Sequence, residues 1–213
     1  MQQTEYFEFD MNISRRTLVK LASAVLAVPE QAFCAADDKK SFLRPPGAVL
    51  EAAFQAKCNR CQRCVQVCPT HVVVPASLSY GIVNMNTPVV TFKVSYCNSC
   101  MKCTEVCPTG ALKPVSKEMM DIGVAVISET DCVAWDWTGC TVCVDECPLK
   151  AIYLDESKRP VVIPEKCNGC GICELKCPST ALRKTIRNKG IIVKPRPEGM
   201  PARVHDEKAG SGS

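Results

Sequence analysis

Cysteine carries the chemistry that type and spacing point to here. Cys58, Cys61, Cys64 and Cys68 precede Pro69. Cys97, Cys100, Cys103 and Cys107 precede Pro108, and Cys167, Cys170, Cys173 and Cys177 precede Pro178. All three runs read C-x2-C-x2-C-x3-C-P, the spacing that wraps thiolates around a 4Fe–4S cubane. A further run, Cys132, Cys140, Cys143 and Cys147 before Pro148, has seven residues, Val133 to Gly139, in its first gap. Two intervening residues let a backbone curl so that successive thiolates reach different iron corners. Three then swing the fourth thiolate away, and in two-cluster proteins it serves the neighbouring cluster. The proline fixes the backbone behind it.

Other thiol chemistries fit less well. A structural zinc site prefers two separated C-x2-C pairs. Disulfides need bridging geometry that neighbouring C-x2-C pairs would rarely supply four times. Thiol redox catalysis needs one exposed pair, not sixteen thiols. A Rieske site would need histidine ligands, and every run already has four cysteines. The expected cofactors are therefore four 4Fe–4S clusters.

The composition agrees. The chain has 213 residues with 17 cysteines and only 6% aromatics, too few large side chains for an ordinary core of this length. Its formal charge of +4 counts every thiol as neutral. Four oxidised clusters on thiolates would bring it to about −4, which removes the basic balance a nucleic-acid binder would need. No dinucleotide glycine fingerprint, phosphate loop or nucleophile with a base is present, so an electron-transfer subunit is expected rather than an enzyme.

The elements that must position the cysteines read as short strands and turns. Val72–Val74, Val89–Val94 and Gly123–Ile127 are strand candidates, and 151–163 is a hairpin leading into the last run. Leu112, Ile152 and Leu182 each stand five residues past a last cysteine, each after an alanine. That pattern suits a helical turn packed on a cluster. Both tryptophans, Trp135 and Trp137, lie in the long gap of the third run, as a docking edge, a cluster shield or local packing. His71 and His205 are expected on the surface.

The N-terminus carries an address. Ser14-Arg-Arg-Thr-Leu-Val-Lys20 and the apolar run after it match a twin-arginine export signal. The apolar run is far too short to span a bilayer. Cleavage after Cys34 or Ala36 is plausible, and Cys34, outside the four runs, has no expected role. Proteins exported this way cross the membrane folded, and metal loaded beforehand would protect the thiols from an oxidising periplasm. From Arg183 on, eight Lys/Arg face three acids in a proline-containing tail.

With these features placed, the chain resembles the NapG/MauM family of exported ferredoxin-type proteins. Arg44-Pro-Pro-Gly-Ala48 is similar to the family's RPPGA segment, and the long gap before Gly139-Cys-Thr-Val-Cys-Val-Asp-Glu-Cys-Pro148 is shared too. The second run, Cys97-Asn-Ser-Cys-Met-Lys-Cys103, is more compact than is common in the family. The resemblance implies a membrane-bound iron–sulfur partner of NapH/MauN type that oxidises quinol, and a periplasmic cytochrome or oxidoreductase, such as nitrate reductase, as acceptor. Direct attachment to a molybdenum oxidoreductase, or a maturation role for a periplasmic redox enzyme, are the alternatives.

The expected fold is α+β, two bacterial-ferredoxin-like 2[4Fe–4S] units of small hairpins and short helices, tandem or nested. The 19 residues between runs three and four favour tandem pairing. Likeness to molybdoenzyme electron-transfer subunits favours nesting, run one with four and two with three, and nesting is the pairing expected here. The expected organisation is a signal segment over 1–36, a lead-in with RPPGA over 37–56, the four-cluster domain over 57–183 and a disordered tail over 184–213.

Overall fold

Helices of one or two turns and ladders of three or four residue pairs are all the regular structure that so many cysteines and prolines permit. In the computed structural model, residues 42–136, 139–182, 188–197 and 199–200 are described, all within one unit spanning residues 41–213. The twin-arginine segment, Cys34, Trp137 and His205 lie outside the described residues.

The first half runs through α1 (Glu51–Lys57), α2 (Arg63–Gln66), β1 (Val73–Pro75), a 3-10 turn (Leu78–Tyr80), β2 (Pro88–Val90) and α3 (Lys102–Glu105). The second half runs through β3 (Val124–Ile127), α4 (Val133–Asp136), α5 (Val142–Asp145), β4 (Ile152–Leu154), β5 (Pro160–Val162), α6 (Ile172–Lys176), α7 (Ser179–Leu182) and β6 (Ile191–Lys194). Helices of four or five residues cannot persist alone in water. Here α2, α3, α5 and α6 each carry the third cysteine of a run on their buried side. The proline after each fourth cysteine stops the turn by pushing the residue before it toward extended backbone. Cys177 shows this with φ −57° and ψ 120°.

Each half has its own antiparallel hairpin. β1 pairs with β2 in the register Val73↔Val90, Val74↔Val89, Pro75↔Pro88. β4 pairs with β5 as Ile152↔Val162, Tyr153↔Val161, Leu154↔Pro160. Prolines sit at ladder ends, where no donor is missed. The start and end of the second half are tied by β3 against β6, from Val124↔Lys194 to Ile127↔Ile191. In the first half a bridge between Ala48 and Leu112 makes the corresponding tie, with Val49 N–H donating to Ala111 O and Lys113 N–H to Gly47 O.

Two apolar cores result. One gathers Leu43, Phe54, Val72, Val73, Val90, Phe92, Leu112, Met120 and Ile122 around Cys64, Cys68 and Cys103. The other packs Val124, Ala125, Ala151, Ile152 and Ile191 around Cys143, Cys167 and Cys173. Cysteine thus fills the middle, as the shortage of aromatics requires.

Two boundaries move. The lead-in is part of the fold, because Leu43 and Phe54 are buried in the first core. The tail read from residue 184 contains β6, whose Ile191 and Val193 are buried because β3 would otherwise be left with an open edge. Arg196 secures the strand's end by donating to Asp121 at 2.8 Å, to Cys167 O at 3.0 Å and to Pro164 O at 3.2 Å. The helical turn expected five residues past each last cysteine is also corrected. Ile152 opens β4 and Leu112 makes a β-bridge, both buried, while Leu182 ends α7 exposed to solvent.

Candidate metal centre

Four small cavities each take their walls from four cysteines. The first is lined by Cys58, Cys61, Cys64 and Cys107, and the second by Cys97, Cys100, Cys103 and Cys68. The third is lined by Cys132, Cys140, Cys143 and Cys177, and the fourth by Cys167, Cys170, Cys173 and Cys147. Every run gives three cysteines to one cavity and its fourth to the next. The partners are run one with run two and run three with run four. This is the tandem arrangement, and the nested expectation is wrong. The physical reason is packing: α2 lies against α3 and α5 against α6, so a fourth cysteine one helical turn past the third meets the quartet of the run packed beside it.

The backbone is bent to suit these cavities. In run one Arg60 and Gln62 have φ of 56° and 64°, in run two Ser99 and Met101 have 58° and 57°, and in run four Gly169 and Gly171 have 71° and 82°. The left-handed residues flank the second cysteine on both sides. Alternation of left- and right-handed residues makes a concave row of N–H groups that suits an anionic guest. For Arg, Gln, Ser and Met this conformation costs on the order of 1 kcal/mol each. Strain of this kind at twelve-residue loops lined with sulfur marks a functional constraint.

Sulfur acceptors are met by donors. Leu112 N–H lies 3.4 Å from Cys107 Sγ, Ala151 N–H 3.3 Å from Cys147 Sγ, and Ala125 N–H 3.4 Å from Cys167 Sγ. Hydroxyls two residues past the fourth cysteine stand beside sulfur as well: Thr70 Oγ1 is 3.6 Å from Cys68 Sγ and Thr109 Oγ1 3.7 Å from Cys107 Sγ, while at Ser179 the Cys177 thiol donates to Oγ at 3.3 Å. Leu149 stands at that place after Cys147 and has no hydroxyl. These hydroxyls were missed in the sequence reading, although the recurrent Cys-Pro-Thr/Ser triplet signals them.

The electrostatics ask for a cation. Burial and the neighbouring cysteines push the Cys64 thiol up to about 11 and those of Cys103 and Cys143 up to about 12. Burial pushes Cys68 and Cys107 up as well, but backbone N–H donors and the threonine hydroxyls outweigh it and leave both below the ordinary thiol value. Four thiolates can share a cavity only with a positive core among them. No three His, Cys, Asp or Glu side chains among the described residues converge on a single ion, and all sixteen thiols are free. Four free thiols around one cavity are the donor set of a 4Fe–4S cluster, and each quartet fits that group.

The remaining candidates are peripheral. Trp135 on α4 is half-buried with the Arg159 guanidinium 4.4 Å above its ring, and its Nε1 has no hydrogen-bond partner among the described residues. His71 is exposed with φ of 55°. Arg44 of the RPPGA segment lies against the rings of Phe42 and Phe54 and donates to Glu51, Thr87, Asn84 and Pro88 O, so its role is to pin the lead-in to the first hairpin.

Such paired quartets define the dicluster iron–sulfur proteins. Residues 57–112 and 138–181 each match the 4Fe–4S dicluster domain. The chain is 36% identical over 169 residues to a methylamine utilization ferredoxin-type protein MauM of Methylophilus methylotrophus, covering 72% of this chain and 74% of that one. It is 36% identical over 153 residues to the ferredoxin-type protein NapG of Escherichia coli, 63% and 65% of the two chains. Against the ferredoxin-type protein NapF of Haemophilus influenzae it is 30% identical over 177 residues, 80% and 93%. The chain belongs to the NapG/MauM family of ferredoxin-type 4Fe–4S electron-transfer proteins.

Proposed function

We propose that the chain is an exported electron relay with four 4Fe–4S clusters, one ligated by each cysteine quartet. The relay receives electrons from a membrane-bound quinol-oxidising iron–sulfur protein of NapH/MauN type and delivers them to a periplasmic cytochrome or oxidoreductase. The observation that carries this reading is the set of four cavities, each walled by four cysteines. A 4Fe–4S cluster supplies one-electron carriage with no bond made or broken by the protein. The chain's own residues do the rest. Cysteine thiolates hold the metal, backbone N–H groups and the Thr70 and Thr109 hydroxyls stabilise charge on sulfur, and the two apolar cores keep water away.

The quartets stand in the order first, second, fourth, third. Cys103 of the second quartet feels Cys64 of the first across the α2–α3 contact. Cys97 N–H of the second quartet donates to Cys170 O of the fourth at 2.8 Å, directly joining the two halves. Cys173 of the fourth feels Cys143 of the third. The ends of the line are thus the first and third quartets.

Iron analysis and electron paramagnetic resonance of anaerobically purified protein test the reading. About sixteen irons per chain, reducible one electron at a time, are expected. Cys68→Ala should remove or convert the cluster of run two while runs one, three and four keep theirs. Zinc in place of iron, or loss of the cluster in run four, would overturn it.

A further inference from the structure

The first quartet differs from the other three in what surrounds it. Of the sixteen cysteines only Cys61 is exposed. Arg60 and Arg63 line its cavity, whereas no charged residue lines any of the other three. Lys57 is exposed one residue before Cys58. Among the described residues none of these three cations is in an ion pair.

Beside this edge stands the loop from β1 to β2, residues 76–87. It is far longer than the 155–159 turn joining β4 to β5, and it has no charged residue. It exposes Leu78 at 63%, Ile82 at 78%, Val83 at 66% and Met85 at 42%. The loop is fastened to the quartet's own backbone. Arg60 donates to Val83 O at 3.0 Å and to Met85 O at 3.1 Å, and Gln62 donates to Asn86 O at 2.6 Å. Arg44 holds Asn84 Oδ1 at 3.0 Å from the other side. The apolar residues are therefore presented in a fixed place, next to the most open cysteine and at one end of the line of quartets.

We propose that this surface is the docking port for an acidic redox protein. An apolar centre edged by uncompensated cations fits a partner with an apolar patch inside a carboxylate rim. Contiguous exposed apolar surface on a folded chain marks such sites. A lipid surface is the less apt occupant, because it would cover Cys61 with hydrocarbon and leave this end of the relay without an electron donor or acceptor. The proposal rests on the relay reading above.

The probe is rubredoxin, a small acidic iron protein, titrated against the iron-loaded full chain at low and at high salt. Binding that weakens with salt is expected, with hydrogen-exchange protection in residues 76–87. Lys57→Glu with Arg63→Glu should weaken it about tenfold or more, and Ile82→Ser with Val83→Ser should do the same. Lys158→Glu, in the β4–β5 turn, should leave it unchanged. Iron content and reducibility are measured on every variant. A chain without reducible clusters would sink the relay reading itself. With clusters intact, no binding of rubredoxin, equal binding by the port variants, or binding to phosphatidylglycerol vesicles in its place would overturn the port alone.

Discussion

At the residue scale the hydroxyls behind the fourth cysteines are the adjustable parts. A hydroxyl donating to a thiolate stabilises the extra negative charge of a reduced cluster, so its loss lowers the reduction potential. Thr70→Val keeps the shape at Cys68 and removes the donor at 3.6 Å. The potential of the second cluster should fall on the order of tens of millivolts in a redox titration, with iron content unchanged. Ser179 is a poorer place for the same experiment. It is fully buried and also accepts from Gly190 N–H at 2.8 Å, so its removal strands a backbone donor and confounds stability with potential. That the sixteen cysteines would gather around shared cavities was legible in the sequence, because cubane ligation dictates spacing along a single loop. That a hydroxyl sits beside the sulfur was not, because it depends on the backbone turning back after the proline.

At the element scale the loops that cradle each quartet are held by contacts from outside themselves. Gly171 has φ of 82°, and a Cβ there would stand 2.1 Å from the Phe92 ring of the other half. Gly171→Ala should destabilise the fold by about 2–3 kcal/mol, lowering the thermal midpoint of the iron-loaded protein by roughly 5–10 °C. In the Phe92→Ala background, itself less stable, the further cost of Gly171→Ala should be smaller, which separates the ring clash from backbone strain. The hairpin over 151–163 and the strands at Val72–Val74 and Gly123–Ile127 were readable because β-branched runs between turn residues leave few alternatives. β6 was not readable. Its four residues sit among basic and proline-rich neighbours, and only the open edge of β3, nearly seventy residues earlier, makes it a strand.

At the scale of the whole molecule, metal and fold depend on each other. Both cores contain cysteines of the quartets, so extracting iron leaves crowded thiols whose burial holds them protonated and whose cavities have nothing to fill them. Chelation of iron under reducing conditions should unfold the chain, seen as loss of circular dichroism and gain of dye-accessible apolar surface. The proposed export rests on residues 14–20 alone. Replacing Arg15 and Arg16 with lysine should leave iron-loaded protein in the cytoplasm on cell fractionation. Among the described residues no helix is long and apolar enough to cross a membrane.

Sequence alone determined the cofactor chemistry, the sixteen cysteines that line the cavities and the α+β ferredoxin class, since each follows from local spacing over a dozen residues. Only the tertiary structure decided which runs share a cavity, in what order the quartets stand, and which one opens to solvent. Those are long-range matters. They are settled by which helical turns pack together, α2 on α3 and α5 on α6, by one backbone hydrogen bond from Cys97 to Cys170, and by which hairpin loop was long enough to lie beside its own cysteines.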